Sequence, residues 1–422
     1  MKFDLLPKKK LGKRFILISL FLFPLFSSLY VVSIFSNDLI SEKLSLLVLL
    51  IAVFSFLLLV TGIIFYKTGT DRIIHKFKAP FRYLAYMFLL FYIVCGYSIL
   101  GILYLPGSGF KDWLITTAMT TMHHKYLATW FYDTYDVNIV MANNSVVESG
   151  EDTNPNLITF STPEFNKVTY KNEFEKEILT KDEGNDLYKI IDIKRKGFKG
   201  KMAVIYDPSH VKLGVSKGTG TALEGSYGQF ITTIASRYNA VIAINAGGFY
   251  DPDWNSTGGV PHGVVISEGK LVANNVRANS SGGIIGFTED NKLVLSRMSA
   301  SQALKAGIRD AVDFGPFLIV NGKASYINGN GGWGDAPRTA IGQREDGIVL
   351  LLVIDGRQTG SAGADMGDLT KVFLDYGAIN AANLDGGTSS AMELNGTIIS
   401  NPRNGNFQAK TRPVPNAWIV VE

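Results

Sequence analysis

Cysteine is almost missing from this sequence. Cys95 is the only one in 422 residues, so no disulfide can close within the chain and no cysteine-based zinc site can be built. A surplus of one charge is missing too. Lys and Arg number 41 against 37 Asp and Glu, a net charge of +4, which is too small to argue for nucleic acid as a partner. There is no Gly-x-Ser-x-Gly elbow around Ser389 and Ser390, and histidine is scarce in the C-terminal half, so a serine hydrolase is disfavoured. The stretch Gly218-Thr-Gly-Thr lacks the third glycine of a dinucleotide loop. No fixed-period repeat is present, and no EF-hand spacing.

What the chain does have is apolar residues, unevenly spread. Mean hydropathy is +0.15, and most of the excess precedes residue 106. Three apolar runs, 15–35, 44–66 and 83–105, contain no Asp, Glu, Lys, Arg or His. Each exceeds the roughly 20 residues needed to span a hydrocarbon core of about 30 Å. Basic residues precede the first run (Lys2, Lys8, Lys9, Lys10, Lys13, Arg14) and separate the second from the third (Lys67, Arg72, Lys76, Lys78, Arg82). The positive-inside rule then predicts a basic cytoplasmic tail at 1–14, a three-helix membrane anchor, a multi-pass cell-membrane protein and an extracellular C-terminal domain.

Residues 106–186 read as an extracytoplasmic connector and polar linker, with a short helix at 163–179. His123 and His124 are adjacent, so on a helix they point apart and do not chelate one ion. The domain itself is expected over 187–422, with many short strands and few helices, an α+β mixed-sheet class. Hairpins are predicted around Glu268-Gly269, Glu289-Asp290-Asn291, Asn321-Gly322 and Asn395-Gly396. Helices are predicted over 225–238, where Phe230, Ile231, Ile234 and Ala235 share a face, and over 368–376, capped by Asp365 or Asp368. Strands 241–244, 348–354 and 381–384 are apolar throughout and run into Asn245-Ala246-Gly247-Gly248-Phe249, Asp355-Gly356-Arg357 and Asn383-Leu384-Asp385-Gly386-Gly387.

A polar residue placed where a rigid strand stops is held well and open to a cleft. One such turn by itself is most simply an Asx turn satisfying its own backbone; three in one domain point to one pocket. Arg338, in Pro337-Arg338-Thr339-Ala340-Ile341-Gly342, offers a guanidinium fork suited to phosphate or carboxylate, and Asp313-Phe314-Gly315-Pro316 offers a carboxylate against a stiff turn. With Pro261-His262-Gly263 and the run from Asn383 through Gly386, Gly387 and Ser389 to Ser390, these stretches follow one another in the order found in the phosphodiester glycosidase family, which the sequence resembles from about residue 187 to 422. One departure is Ala246, inserted where the family pattern more often reads Asn-Gly-Gly.

The resemblance implies that water cleaves the bond between a sugar's anomeric carbon and a phosphodiester. Asp385, Asp355 and Asp313 are then the carboxylates available to assist leaving group or water. Arg338, with Arg357 second, is expected to hold the phosphate. Asn245, Gly248, Phe249, His262, Thr339, Asn383, Gly386, Gly387 and Ser389 are expected to bind the sugar or phosphate oxygens, with Phe249 or Trp333 stacking on a sugar face. No cofactor is implied. A Ca²⁺ or Mg²⁺ ion suits such oxygens but ranks below a metal-free site. The expected partner is a phosphosugar or cell-envelope polysaccharide such as an exopolysaccharide, besides the membrane. A non-catalytic carbohydrate-binding module in envelope polymer assembly, and a phosphodiesterase or lyase, are the competing readings.

Overall fold

The computed structural model describes residues 8–35, scattered positions between 53 and 103, and residues 109–422 apart from 122–123, 162, 168, 223, 252–255, 276–281 and 405–406. Two compact units are distinguished. One comprises Met1–Met119 with His124–Met141, the other Thr120–His123 with Ala142–Glu422.

In the first unit, helix α1 spans Lys8–Phe35, and α2 (Phe110–Thr120), α3 (Tyr126–Thr129) and α4 (Thr134–Asn143) follow. Ile115, Ala118, Ala128, Tyr132, Val137 and Val140 bury against one another. Among the described residues no helix is long and apolar enough to cross a membrane. That finding overturns the expected multi-pass localisation, with its cytoplasmic N-terminus and extracellular domain, and the membrane as partner. The run 15–35 falls inside α1, whose first turns carry Lys8, Lys9, Lys10, Lys13 and Arg14. The runs 44–66 and 83–105 lie, but for isolated positions, outside the described residues. Hydropathy reports the composition of a run, whereas a span needs that composition carried on one continuous helix.

The second unit is a mixed α/β domain of antiparallel sheets. A seven-stranded sheet runs in the order β12-β11-β16-β14-β15-β3-β2, from Lys323–Ala324, Phe317–Val320, Ala378–Asn383, Arg338–Arg344, Val349–Ile354, Phe198–Ile205 and Tyr188–Arg195. A five-stranded sheet, β7-β6-β10-β8-β9, joins Lys270–Asn275, Gly263–Ser267, Ile308–Phe314, Gly283–Thr288 and Leu293–Ser296. A second, β18-β17-β5-β19-β4, joins Thr397–Ile398, Met392–Leu394, Ala240–Asn245, Asn416–Val421 and Val211–Val215. A short pair links β1 (Ser145–Val147) to β13 (Tyr326–Asn328).

The central strands explain the layering. Every residue of β15 is buried, and so is β14 up to Arg344, so apolar side chains face both ways. On one face Ile341, Leu351 and Val353 meet Ile244, Trp418, Phe287 and Val312 from the two smaller sheets. On the other, Leu350, Leu352 and Ile354 meet Leu369, Val372 and Phe373 of α8 (Met366–Asp375) and Ile178 and Leu179 of α5 (Glu173–Leu179). The polar stretch 142–186 therefore contributes packed elements to this unit. Helix α6 (Ile231–Arg237) covers β5 and β19, and α7 (Ala300–Lys305) covers β10 and β8.

Asp365 is the N-cap of α8 and forms a capping box with Asp368, so both carboxylates proposed from sequence to cap that helix do so. The predicted helix 225–238 shortens to α6, because 227–229 are drawn into backbone bonds with Gly218, Thr257 and Val414. The hairpin β2–β3, turning at Gly197, was not foreseen.

Trp418 is fully buried and edge-on to Phe287 at 5.4 Å. Trp418→Ala should cost about 3–5 kcal/mol, read as a lower urea midpoint with an unchanged slope; a loss below about 1 kcal/mol would contradict the packing described.

Candidate active site

Three strand ends meet at Asn245. It closes β5 and is buried. Its Nδ2 donates to the Asp385 carbonyl at 2.6 Å, and its Oδ1 accepts from Thr339 Oγ1 at 2.7 Å and from the Ala391 N–H at 3.2 Å. Both amide atoms are thus spent on holding β5, β14 and the loop after β16 together, and Thr339 is spent with them. Asn245 and Thr339, expected to touch substrate, instead fix the positions from which the loops depart.

Those loops converge. The Asp385 N–H donates to the Ala246 carbonyl at 2.9 Å. Gly247 donates to Asn416 Oδ1 at 2.8 Å, and the His262 N–H donates to the Gly248 carbonyl at 2.8 Å. Gly248 lies between two side chains: a Cβ there would stand 2.7 Å from the Phe314 ring and 3.6 Å from the His262 ring. Gly263 has a φ of +61°, and a Cβ on it would overlap the Asp313 carboxylate, so the Asp313 side chain lies on the backbone just after His262. Phe314 in turn faces Trp333, ring centroids 6.4 Å apart.

Beyond Trp333 comes Arg338, 4 % exposed. Its Nε donates to the Ala364 carbonyl at 3.0 Å, and its Nη2 to the carbonyls of Trp333 at 2.7 Å and Gly334 at 2.6 Å. The guanidinium carbon lies 5.8 Å from the Trp333 ring centre. Nη1 borders Gly386, whose Cβ would sit 3.8 Å from it. Burial lowers the Arg338 pKa to about 10, although Asp365 and Asp335 pull it up; it remains a cation at neutral pH. Arg357, in the left-handed region at φ 57°, donates from Nη1 to Thr388 Oγ1 at 3.2 Å. Its Nη2 comes within 3.3 Å of where a Gly387 Cβ would be. Burial lowers the Arg357 pKa as well, and the Arg357 charge adds a smaller depression to Arg338. Two cations flanking one Gly-Gly-Thr turn make an anion cradle.

The carboxylates divide. Asp385 opens that turn, and Asp313 lies against Gly263, next in the chain to His262. Asp355 is set apart: its Oδ1 accepts the Asn401 N–H at 2.7 Å, and burial raises its pKa, with Lys201 and Arg403 opposing. It follows by two residues Val353, which pairs with Thr339, so what engages its carboxylate is the Asn401 backbone and not the alternation of the strand. Asn383 donates to the Gly315 carbonyl at 2.9 Å, while its buried Oδ1 has no partner. Ser389 is buried within the turn. Phe249 is only 7 % exposed, with the Arg412 guanidinium 4.5 Å above its ring. Its neighbour Tyr250 is 46 % exposed and edge-on to His262 at 6.3 Å. Phe249 is therefore a core residue, and Tyr250 is the aromatic that borders the cleft.

Sequence reading missed an acidic trio. Oxygens of Asp335, Asp365 and Asp368 lie within 4.8 Å of one another, next to Arg338. Such a group is what a divalent cation would use among the described residues. The available signal was the helix cap at Asp365 and Asp368; nothing linked Asp335 to it.

The model of the family described as phosphodiester glycosidase matches residues 238–421, which is the segment carrying every motif that resembled it. Over 183 residues the chain is 33 % identical to a prophage-derived uncharacterized protein of Bacillus subtilis, covering 42 % of this chain and 27 % of that one. Over 155 residues it is 29 % identical to human N-acetylglucosamine-1-phosphodiester alpha-N-acetylglucosaminidase, covering 32 % of this chain and 30 % of that one. The chain thus spans under a third of the length of these relatives. Among solved structures, the zebrafish catalytic domain of the same name, auto-inhibited by its pro-peptide, aligns with 24 % identity and a TM-score of 0.47 over 58 % of this chain and 86 % of that one.

The acidic trio has a consequence for stability. Burial raises the Asp368 pKa to about 6, with the Asp365 charge adding to it. The folded state then holds a proton that the unfolded chain, at about 3.9, has released. Stability from this group falls as pH rises from about 4 to about 6 and is flat above. Comparing urea midpoints of the wild type and Asp368→Asn at pH 5 and pH 7.5 isolates it: the wild type should lose more stability over that interval than the variant. Equal losses would contradict the assignment.

Proposed function

We propose that this chain hydrolyses sugar-1-phosphodiesters, cleaving between the anomeric carbon and the phosphate oxygen. The observation that carries the reading is the pair Arg338 and Arg357 around Gly386-Gly387, next in the chain to Asp385. The match of residues 238–421 to the phosphodiester glycosidase family supports it, as does the named activity of the human relative.

The arginines flank Gly386-Gly387 directly after Asp385, while Asp313 lies against Gly263 beside His262, whose ring faces Tyr250. A phosphodiester placed on the arginines puts its sugar toward the carboxylates and the exposed ring. As the C1–O bond breaks, its electron pair moves to the phosphate oxygen. A phosphate leaving group needs little protonation, so the two guanidinium ions supply the main stabilisation of that charge. A carboxylate either takes the proton from an attacking water or attacks C1 itself. The products are a reducing sugar and a phosphomonoester. Substrates from envelope or exopolysaccharide polymers are the natural first class to examine, alongside N-acetylglucosamine-1-phosphodiesters.

The test is incubation of the full chain with a panel of sugar-1-phosphodiesters, with and without chelator, and identification of the products. Turnover of at least one member is expected. Asp385→Asn should lower kcat by on the order of 10²–10⁴ while binding of the substrate persists. Binding without turnover in the wild type would favour a carbohydrate-binding module, and no cleavage of any member would overturn the proposal.

A further inference from the structure

The carbonyls that grip Arg338 belong to a loop that cannot hold its own shape. Gly329, Gly331, Gly332 and Gly334 all have positive φ, at 58°, 77°, 75° and 57°. Four such residues in six give the unfolded loop a large conformational entropy. Something outside the loop must select one conformer.

That element is the segment 144–147, which lies outside the residues matched by the family model. Strand β1 pairs antiparallel with β13, Ser145 opposite Asn328 and Val147 opposite Tyr326, directly before the glycines. Asn144 is 3 % exposed. Its Oδ1 accepts the Asn330 N–H at 2.9 Å. Its side-chain oxygen fills the place a Cβ on Gly329 would take, and its carbonyl the place of one on Gly332. A Cβ on Gly331 would stand 3.2 Å from Val146 and 3.0 Å from Met366, so the loop is held between β1 and the start of α8. From α8's leading edge comes the third grip, since Ala364 accepts from Arg338 Nε and is bridged to Ala336.

From these contacts we infer that Asn144 is a positioning residue for the anion pocket: it fixes the loop 329–334 whose Trp333 and Gly334 carbonyls aim the Arg338 guanidinium. This rests on the reading that the pocket receives the substrate's phosphate. Asn144 touches no substrate in this account and acts only through the loop. Removing its side chain leaves Asp385, Asp313 and Arg357 where they are, so the loss falls on Arg338 alone, both in holding the phosphate and in stabilising it as it departs.

The experiment measures the Kd of the full chain for inorganic phosphate by calorimetry, together with KM and kcat for the best phosphodiester of the panel. Asn144→Ala should raise the phosphate Kd about three- to tenfold, the worth of one net hydrogen bond, and lower kcat/KM by at least that factor. Asn144→Asp, which keeps the accepting oxygen, should recover most of the loss. A merely structural role would lower the melting temperature and the active fraction but leave the phosphate Kd unmoved, and that result overturns the inference alone. Should Asn144→Ala fail to fold, Gly329→Ala, whose added Cβ would overlap the Asn144 side-chain oxygen, disturbs the same contact from the loop side and should give the same rise in Kd. Phosphate binding without diester turnover in the wild type would defeat the functional reading and leave the role of Asn144 to be decided by Kd. A wild type that binds no phosphate overturns both.

Discussion

Everything at this site follows from one buried cation. Taking a guanidinium out of water costs several kcal/mol unless its donors are met. Arg338 meets the cost with backbone carbonyls from Trp333, Gly334 and Ala364. Asp335 and Asp365 contribute their fields, and the nearest acceptors are neutral oxygens. A cation held by neutral dipoles keeps its charge for something else. Three elements must converge to supply those carbonyls: the glycine loop, the bridge at Ala336 and Ala364, and β14 itself. The segment β1 and the N-terminus of α8 then serve to keep that convergence in register.

The second constraint is the Asn245 knot. By bonding Asp385, Thr339 and Ala391 at once, it ties the ends of strands from two different sheets. Loops leaving a common knot have little freedom in where they go. That is how the Gly386-Gly387 turn and the Ala246–Gly248 loop, far apart in sequence, leave from one place, joined by the Asp385 N–H on the Ala246 carbonyl.

Local signals told much of this before any coordinates. The hairpins at Glu268-Gly269 and Asn395-Gly396 were legible because those turns require residues that accept positive φ, which Glu268, Gly269, Asn395 and Gly396 all show. Strands 241–244 and 348–354 were legible because strands buried on both faces are continuously apolar. Asp385 stood out as a polar residue just where strand 381–384 stops, and Arg338 as a guanidinium fixed behind Pro337. What was not legible depended on side-chain direction or on distant partners. The Asn401 N–H engages Asp355, and Phe249 turns into the core one residue before the exposed Tyr250. Asp335 joins Asp365 and Asp368 only through the fold. The apolar N-terminal runs misled for the reason already given: composition was read as a span, and no described helix is one.

The central claim is that the bond broken lies on the sugar side of the phosphate, because the arginines stabilise a departing phosphate and the carboxylates stand where the anomeric carbon would be. Hydrolysis in ¹⁸O-labelled water, with mass analysis of both products, tests it most directly. The account predicts label in the reducing sugar and none in the phosphomonoester. Label in the phosphate would mean attack at phosphorus, a phosphodiesterase reaction, and would contradict it.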